Sequence, residues 1–139
     1  IVIAGDNIYG SNFKDEVAEF RTGALSFLRK VSDPQRFGVP VYDSKNKLIK
    51  IEEKPTHPTT NWVVTGPHLY DNKVFDLISQ LKLSERGELE ISELNSLYIQ
   101  KNALSLIRRR DFWIDAGTFG SLIQANNYFL KRRKGKLKK

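Results

Sequence analysis

The chain has no cysteine, no methionine and only two histidines among its 139 residues. The absence of cysteine excludes disulfides and thiolate metal sites. Two histidines leave little material for a histidine-rich metal centre or a Ser-His-Asp hydrolase triad. No apolar run reaches the ~18 residues that a membrane-spanning helix needs, and no signal peptide is visible. We therefore expect a cytoplasmic protein that does not enter a membrane, although secreted proteins can also lack cysteine.

Positive charge is concentrated at the C-terminal end. The formal net charge is +7, and the segment "KRRKGKLKK", residues 131–139, carries seven basic side chains and no acidic one. Residues 1–130 are therefore formally neutral, and we treat 131–139 as a basic tail separate from a domain over 1–130. Such a tail is typical of a solvated terminus, and contact with phosphate, RNA or an acidic membrane is the alternative. Because the domain is neutral, we do not expect it to bind nucleic acid.

Strand-like and helix-like segments alternate along the chain. Alternating or continuous apolar residues predict strands over 1–4, 23–31, 61–70 and 103–110, and a hairpin formed by 39–42 and 47–54. Helical spacing of apolar residues predicts helices over 12–20, 72–81, 87–101 and 117–133. The last of these places Phe119, Leu122 and Ile123 on one face. This alternation predicts an α/β fold with a mixed, mostly parallel sheet flanked by helices.

Two aspartates follow short apolar runs at opposite ends of the chain. Asp6 comes after "IVIAG", and Asp115 lies in "FWIDAGT". Open α/β sheets place their ligands at strand ends, and Mg²⁺ prefers one or two carboxylates together with substrate phosphates. The two residues could therefore share one metal ion. The alternatives are an Asx-turn at Asp6 and an acidic helix N-terminus at Asp115.

Two charged motifs could bind a phosphorylated ligand. In "IEEKP", Glu53 and Glu52 point to opposite strand faces, and Lys54 precedes a proline that fixes the chain. In "RGELEI", Arg86 could contact a phosphate through its forked guanidinium. The alternatives are an exposed charged strand end for the first motif and a surface ion pair of Arg86 with the neighbouring glutamates for the second.

The motifs "GDN", "DPQRFGV", "IEEKP", "VTG", "RGELEI" and "WIDAGT" occur in this order. As a set they resemble the sugar-nucleotide pyrophosphorylases, and most of all the glucose-1-phosphate thymidylyltransferases, over roughly residues 1–127. The resemblance implies a Rossmann-like nucleotidyltransferase fold and a cytoplasmic homo-oligomer when the protein is full length. It also implies that glucose 1-phosphate attacks the α-phosphorus of dTTP, giving dTDP-glucose and pyrophosphate, with Mg²⁺ as cofactor and no covalent intermediate.

The resemblance also implies roles for individual residues. Asp6 and Asp115 match the metal ligands, with Trp113 packed near the second of them. The residues implied to bind the sugar phosphate are Gly38, Glu53, Lys54, Val64, Gly66 and Arg86. Among these, Lys54 and Arg86 are the expected catalytic residues, because they would contact the sugar phosphate, and Glu53 would accept hydrogen bonds from sugar hydroxyls.

The sequence departs from the family pattern in two places. The family's glycine-rich nucleotide loop, G-G-x-G-T-R, does not occur in the 139 residues. We therefore expect the chain to be the C-terminal part of a larger enzyme and to be inactive alone. Pro67 and His68 also stand where the family has an apolar residue and tyrosine. The alternative hypotheses are a non-catalytic sugar-phosphate-binding or regulatory remnant and a basic-tailed nucleic-acid binder.

Overall fold

The computed structural model describes residues 1–136, with side-chain surroundings given through residue 133. The strands are β1 (Asn7–Tyr9), β2 (Ala24–Lys30), β3 (Gly38–Tyr42), β4 (Leu48–Glu53), β5 (Trp62–Tyr70), β6 (Leu104–Arg108) and β7 (Trp113–Asp115). The helices are α1 (Lys14–Glu19), α2 (Val74–Ile78), α3 (Ile91–Gln100) and α4 (Phe119–Lys136). The predicted alternation of strands and helices is confirmed, and with it the α/β class.

The strands form a mixed five-stranded sheet and a separate two-stranded ribbon. The sheet has the order β4-β3-β5-β2-β6, and the ribbon pairs β1 with β7. Strand β6 runs parallel to β2, whereas the β2–β5, β3–β4, β3–β5 and β1–β7 pairs are antiparallel. The predicted predominance of parallel pairs is therefore wrong for the described strands. Apolar alternation identifies a strand but carries no information on the direction of its partner.

The hydrophobic core lies on the five-stranded sheet. One cluster joins Leu25, Phe27 and Leu69 to the partly buried Phe13 and Phe20 at the ends of α1. A second cluster joins β2 to helices α2 and α3; its buried members are Ala24, Leu77, Leu94 and Tyr98. Each such side chain contributes roughly 1.5–3 kcal/mol when removed from water. The helical spacing of Ile91, Leu94 and Tyr98 predicts one inner face for α3; Leu94 and Tyr98 are buried as predicted, whereas Ile91 is exposed.

Both ends of the described chain are more exposed than their patterns predict. Residues 1–4 were expected to form a buried strand, but they form one isolated bridge, Val2 to His68, and Ile1 and Ile3 are 68% and 60% exposed. The predicted strand is therefore wrong. In α4 the predicted apolar face is also exposed, with Phe119 at 89%, and the buried residue is Ala125. In both segments the apolar pattern is real, but residues 1–136 do not cover it.

Helix α4 extends into the basic tail. It continues through Lys136, and its third turn packs on the ribbon side through a stacked pair of Phe112 and Tyr128 rings. Arg132 also donates a hydrogen bond to the carbonyl oxygen of Gly10. Residues 137–139 of the tail lie outside the described residues. Across residues 1–136, no helix is both long enough and apolar enough to span a membrane.

Candidate functional site

A cleft of about 590 Å³ opens between the five-stranded sheet, the ribbon and the start of α3. It gathers residues that are far apart in the sequence. The predicted site residues that line it are Asp6, Gly38, Glu53, Lys54, Val64, Gly66 and Asp115. Arg86 does not line it. The cleft is therefore where the chemistry of the predicted residues can be combined.

The β1–β7 ribbon brings the two aspartates together. Asn7 pairs with Asp115 in the ribbon register, so Asp6 comes directly before the paired position. The backbone N–H of Ala116 donates to the carbonyl oxygen of Asp6 at 2.8 Å and closes this end of the ribbon. A Cβ atom placed on Gly117 would lie 3.0 Å from Asp115 Oδ1 and 3.4 Å from Asp6 Oδ2. The two carboxylates therefore flank one small space that glycine leaves open.

Asn7 holds the first of these carboxylates in place. Its side-chain Nδ2 donates to Asp6 Oδ1 at 3.0 Å, and its Oδ1 accepts from the indole Nε1 of Trp113 at 2.8 Å. On the other side, Asp115 Oδ1 accepts from the backbone N–H of Gly117 at 2.9 Å. Each carboxylate therefore has one oxygen oriented by a neighbour and a second oxygen available.

The donor set of this space fits Mg²⁺. That ion binds one or two carboxylates and completes its octahedron with water and substrate phosphate oxygens. Residues 1–136 contain no group of three or more histidine, cysteine or acidic side chains able to enclose a metal alone. A two-carboxylate site open to the cleft is consistent with that finding, because the remaining ligands would come from solvent and substrate.

The strand β4 supplies the charged residues on the opposite side of the cleft. Glu53 lines the cleft, and its Oε2 lies 3.4 Å from where a Cβ on Gly38 would be, so glycine at that position leaves room for the carboxylate. The neighbouring Glu52 forms an ion pair with Lys50 instead, at 3.2 Å. The expected division between the two glutamates is therefore present, with one facing the cleft.

Lys54 has an unusual backbone conformation. Its φ is +44°, in the left-handed region that residues other than glycine rarely adopt, and Pro55 follows it. Its backbone N–H is held by the carbonyl oxygen of Phe37 at 3.1 Å. Such a conformation costs of order 1–3 kcal/mol and is most often kept at functional sites. It turns the backbone at the end of β4, where Lys54 lines the cleft.

Arg86 lies in the turn before α3 and is ion-paired there. Its guanidinium contacts Glu88 at 3.0 Å and Glu90 at 3.3 Å. Ser84 Oγ also donates to Glu90 at 2.9 Å, which ties the turn together. This is the surface ion pair that the sequence left open as an alternative. Contact of Arg86 with a phosphate stays a prediction.

Several cleft residues lie outside the predicted set of ligand-binding residues, although Trp113 was expected to pack near Asp115. Phe37 and Trp113 form one wall, with their rings 5.5 Å apart. Their signal was the motif context, "DPQRFGV" and "WIDAGT", rather than any pattern of charge. His68 and Asn95 also line the cleft from β5 and α3. Asn95 is fully buried and His68 nearly so; the sequence marked His68 as a departure from the family pattern and assigned no role to Asn95.

A buried ion pair supports the segment that leads to Asp115. Arg29, which is 3% exposed, pairs with Asp111 at 3.0 Å. Burial alone would raise the pKa of Asp111, but hydrogen bonds from Ser11, Arg29 and Arg109 hold that pKa well below its usual range. Arg109 also pairs with Glu16 of α1. This network fixes the β6–β7 connection against β2 and α1, and so positions the strand that carries Asp115.

Comparison with known sequences identifies the family of this chain. The sequence model described as nucleotidyl transferase matches residues 1–132. The chain belongs to the nucleotidyl transferase family.

Curated members of this family are close in sequence. A glucose-1-phosphate thymidylyltransferase of Neisseria meningitidis serogroup A is 42% identical over 133 residues, which cover 91% of this chain and 46% of the relative. The enzyme of that name from Mycobacterium tuberculosis is 36% identical over 141 residues, covering 96% of this chain and 49% of the relative. This nucleotidyl transferase chain therefore spans about half the length of the curated relatives it matches.

Solved structures agree with the fold. A Bacillus anthracis protein assigned as a glucose-1-phosphate thymidylyltransferase, crystallised with sucrose, superposes with a TM-score of 0.80 at 44% identity. The match covers 91% of this chain and 52% of that one. A UDP-glucose pyrophosphorylase bound to UDP-glucose gives a TM-score of 0.78 at 16% identity. The match covers 94% of this chain and 55% of that chain, and it supports the fold alone. The mixed sheet with flanking helices is thus the nucleotidyl transferase arrangement.

Proposed function

We propose that this chain carries the sugar-phosphate and metal half of a glucose-1-phosphate thymidylyltransferase. In the complete reaction a phosphate oxygen of glucose 1-phosphate attacks the α-phosphorus of dTTP. A new P–O bond forms, the bond to the β-phosphate breaks, and dTDP-glucose and pyrophosphate are released. The observation that carries the proposal is the single cleft that holds both Asp6 and Asp115 beside Glu53 and Lys54. The match to the nucleotidyl transferase model along residues 1–132 and the 42% identity to a thymidylyltransferase over 133 residues support it.

The residues of the chain have distinct tasks in this proposal. Lys54 neutralises the phosphate of the sugar as a point charge. Glu53 accepts hydrogen bonds from sugar hydroxyls, while Gly38 and Gly66 let the hexose approach the backbone and Val64 packs beside it. Asp6 and Asp115 would hold Mg²⁺, which supplies charge neutralisation to phosphate oxygens when bound. Catalysis in this arrangement rests on positioning and electrostatics.

Phosphate binding by Arg86 belongs to the same proposal. In the described structure its guanidinium is paired with Glu88 and Glu90, so reaching a phosphate requires those pairs to open. If Arg86 serves glucose 1-phosphate, Glu88→Gln should strengthen binding by releasing it, and Arg86→Ala should weaken binding. Equal affinities of the wild type and both variants for glucose 1-phosphate would show that Arg86 stabilises the turn and does not bind the phosphate.

The direct test is calorimetric titration of the purified chain with glucose 1-phosphate. Glu53→Gln should weaken binding by about tenfold or more, because hydrogen bonds to a charged group contribute roughly 1.5–3 kcal/mol. Glu52→Gln is the matched control, since that glutamate pairs with Lys50 on the other face of β4. Equal losses in the two variants, or no binding by the wild type, would contradict the proposal.

A second measurement separates the transferase half from a non-catalytic binding module. The 139 residues contain no glycine-rich nucleotide loop, so we expect the chain alone to bind glucose 1-phosphate without forming dTDP-glucose from dTTP and Mg²⁺. Addition of a polypeptide containing that loop should restore synthesis if the chain is the transferase half. Sugar-phosphate binding with no recovery would favour the non-catalytic alternative. Formation of dTDP-glucose by the chain alone would show that the loop is dispensable.

A further inference from the structure

Trp113 and Asn7 lie on the same face of the β1–β7 ribbon. Asn7 is paired with Asp115, and Trp113 comes two residues before Asp115, so the three side chains project from one face. The indole ring of Trp113 packs edge-on against Phe37, which directly precedes β3, with the ring centroids 5.5 Å apart. The indole therefore contacts both the ribbon and the segment that leads into the five-stranded sheet.

The indole nitrogen fixes the side-chain amide of Asn7 in one orientation. An indole N–H can donate a hydrogen bond but cannot accept one. It donates to Asn7 Oδ1 at 2.8 Å, so the amide turns its oxygen to Trp113 and its nitrogen Nδ2 to Asp6, 3.0 Å from Oδ1 of that carboxylate. The opposite orientation would place two donors against each other at the indole and two acceptors against each other at the carboxylate.

The orientation of the amide determines which oxygen of Asp6 is available. Nδ2 of Asn7 holds Oδ1, and Oδ2 is the oxygen that borders the space at Gly117, 3.4 Å from where a Cβ on that glycine would lie. Asp115 Oδ1 borders the same space. The amide oxygen of Asn7, a type of atom that can bind a divalent cation, already accepts the indole proton. Asn7 is thus an orienting residue for the carboxylate rather than a third ligand.

We propose that Trp113 is a positioning residue for metal binding: acting through Asn7, it orients the Asp6 carboxylate for Mg²⁺. The proposal rests on the proposed function and deepens it, because it assigns a task to a residue outside the proposed set of ligands. Phe37 connects this arrangement to the sheet, since its backbone carbonyl oxygen accepts from the backbone N–H of Lys54 at 3.1 Å. The carboxylate that would hold Mg²⁺ is thereby placed relative to the lysine that would hold the sugar phosphate.

The first test uses the unmodified full chain and NMR of the indole N–H groups. The chain has two tryptophans, and Trp62 lies outside the cleft with its ring beneath the guanidinium of Arg108, so it is an internal control. We expect the Trp113 indole resonance to shift on saturation with Mg²⁺ and the Trp62 resonance to stay unchanged. A Trp113 resonance that Mg²⁺ leaves unchanged, in a chain that binds Mn²⁺ by electron paramagnetic resonance, overturns the proposal. Equal shifts at both tryptophans overturn it too, because they would report a general effect of the salt.

The second test is a double-mutant cycle on the affinity for Mn²⁺, used as the probe for Mg²⁺. Trp113→Phe keeps an aromatic ring against Phe37 but removes the donor, and it should weaken Mn²⁺ binding by about fivefold, as expected for the loss of one hydrogen bond. Trp62→Phe is the matched control outside the cleft and should leave the affinity unchanged. In an Asn7→Ala background, Trp113→Phe should have no further effect, because Trp113 acts through Asn7.

The outcomes of this cycle distinguish the positioning role from the metal site itself. Circular dichroism checks that each variant is folded before its affinity is compared. If Trp113→Phe binds Mn²⁺ as tightly as the wild type, the proposal is overturned while the metal site stands. The same holds if Trp113→Phe lowers the affinity by one factor with and without Asn7, because Trp113 would then act by another route. If the wild-type chain binds no Mn²⁺, the proposed metal site and the positioning residue fail together.

Discussion

The five-stranded sheet and the β1–β7 ribbon with α4 differ in how fully they bury their apolar side chains. The sheet and its helices hold nearly all of the buried apolar residues, including Phe27 and Val63 at 0% exposure. The ribbon and α4 contribute Ala125 to that set, while Phe119 and Ile123 remain 89% and 59% exposed. The free energy of folding is therefore concentrated in the sheet. Glu53 stands on the well-packed part, and the two carboxylates proposed to bind metal, Asp6 and Asp115, lie at one end of the ribbon.

This difference places most of the stability and the proposed metal ligands in separate parts of the molecule. Side chains of the ribbon are positioned chiefly by hydrogen bonds, such as those of Asn7 to Asp6 and Trp113, rather than by packing. Substitutions in the sheet should therefore act first on folding. Substitutions around Asp6 and Asp115 should act first on metal binding.

The largest difference in stability is expected when phenylalanine is replaced by alanine once in the sheet and once in α4. Phe27→Ala removes a fully buried ring and should lower the free energy of unfolding by about 3–5 kcal/mol. Phe119→Ala removes an exposed ring and should change it by less than about 0.5 kcal/mol. Urea denaturation followed by circular dichroism measures both. Comparable losses would show that α4 packs as tightly as the sheet, and the contrast would be wrong.

Acid should weaken the sheet through His68. Its pKa is lowered to about 4 by burial, below the value of about 6.5 for an unfolded histidine, so the unfolded state binds the proton more readily between these pH values. The stability contributed by the neutral ring is present above that window and is lost as the pH falls through it. The loss between pH 7 and 4 should be about 2–3 kcal/mol.

The control for this pH dependence is His68→Phe. Hydrogen bonds also lower the pKa values of Asp71 and Asp111, against the effect of burial, so their contribution falls as acid protonates them. Both aspartates remain in the variant. The difference in slope between wild type and variant, measured by urea denaturation from pH 7 to 4, therefore isolates the histidine. Parallel curves would contradict a buried neutral ring.

A smaller effect is expected from glycine substitutions in the ribbon region. Gly117→Ala puts a methyl group between Asp115 Oδ1 and Asp6 Oδ2 and should weaken Mn²⁺ binding, used as a probe for Mg²⁺, by about tenfold. Gly120→Ala, three residues later, has no atom within 4 Å of the new methyl group. It should leave Mn²⁺ binding unchanged and stabilise α4 by about 0.5–1 kcal/mol.

Electron paramagnetic resonance titration of free Mn²⁺ measures the Mn²⁺ affinity of both glycine variants. Urea denaturation measures their free energy of unfolding. If both glycine variants bind Mn²⁺ as the wild type does, the two aspartates do not hold a metal in the chain alone. A loss in both variants would instead point to a change in α4 as a whole.

Much of the fold and of the cleft could be predicted from the sequence, for reasons that particular residues show. Leu94 and Tyr98 follow helical spacing, and that spacing is also their geometry in α3. Asp6, Asp115 and Glu53 lie in motifs specific enough to place them at one cleft. Strand direction was not predictable, because β5 has the same apolar pattern whether its neighbour runs with it or against it.

The remaining differences depend on tertiary context. The apolar residues Ile1, Ile3 and Phe119 have core-like patterns, but burial depends on what lies opposite, which local sequence does not record. Arg86 has the same local pattern whether it pairs with Glu88 or contacts a phosphate. His68 departs from the family motif, and its hydrogen bond with the buried Ser26 is visible in the tertiary structure alone.

The contact between Asn7 and Trp113 joins residues 106 positions apart in the chain. Closing so long a loop lowers the conformational entropy of the chain before the contact itself contributes any favourable energy. Contacts between residues far apart in the sequence therefore form slowly. During synthesis, strands β2 to β5 are complete before Trp113 has been added to the chain. The side of the cleft that carries Glu53 and Lys54 can thus assemble before Trp113 has been made. The two aspartates become neighbours only after Asp115 has been added, so the proposed metal site is completed later than the side of the cleft opposite to it.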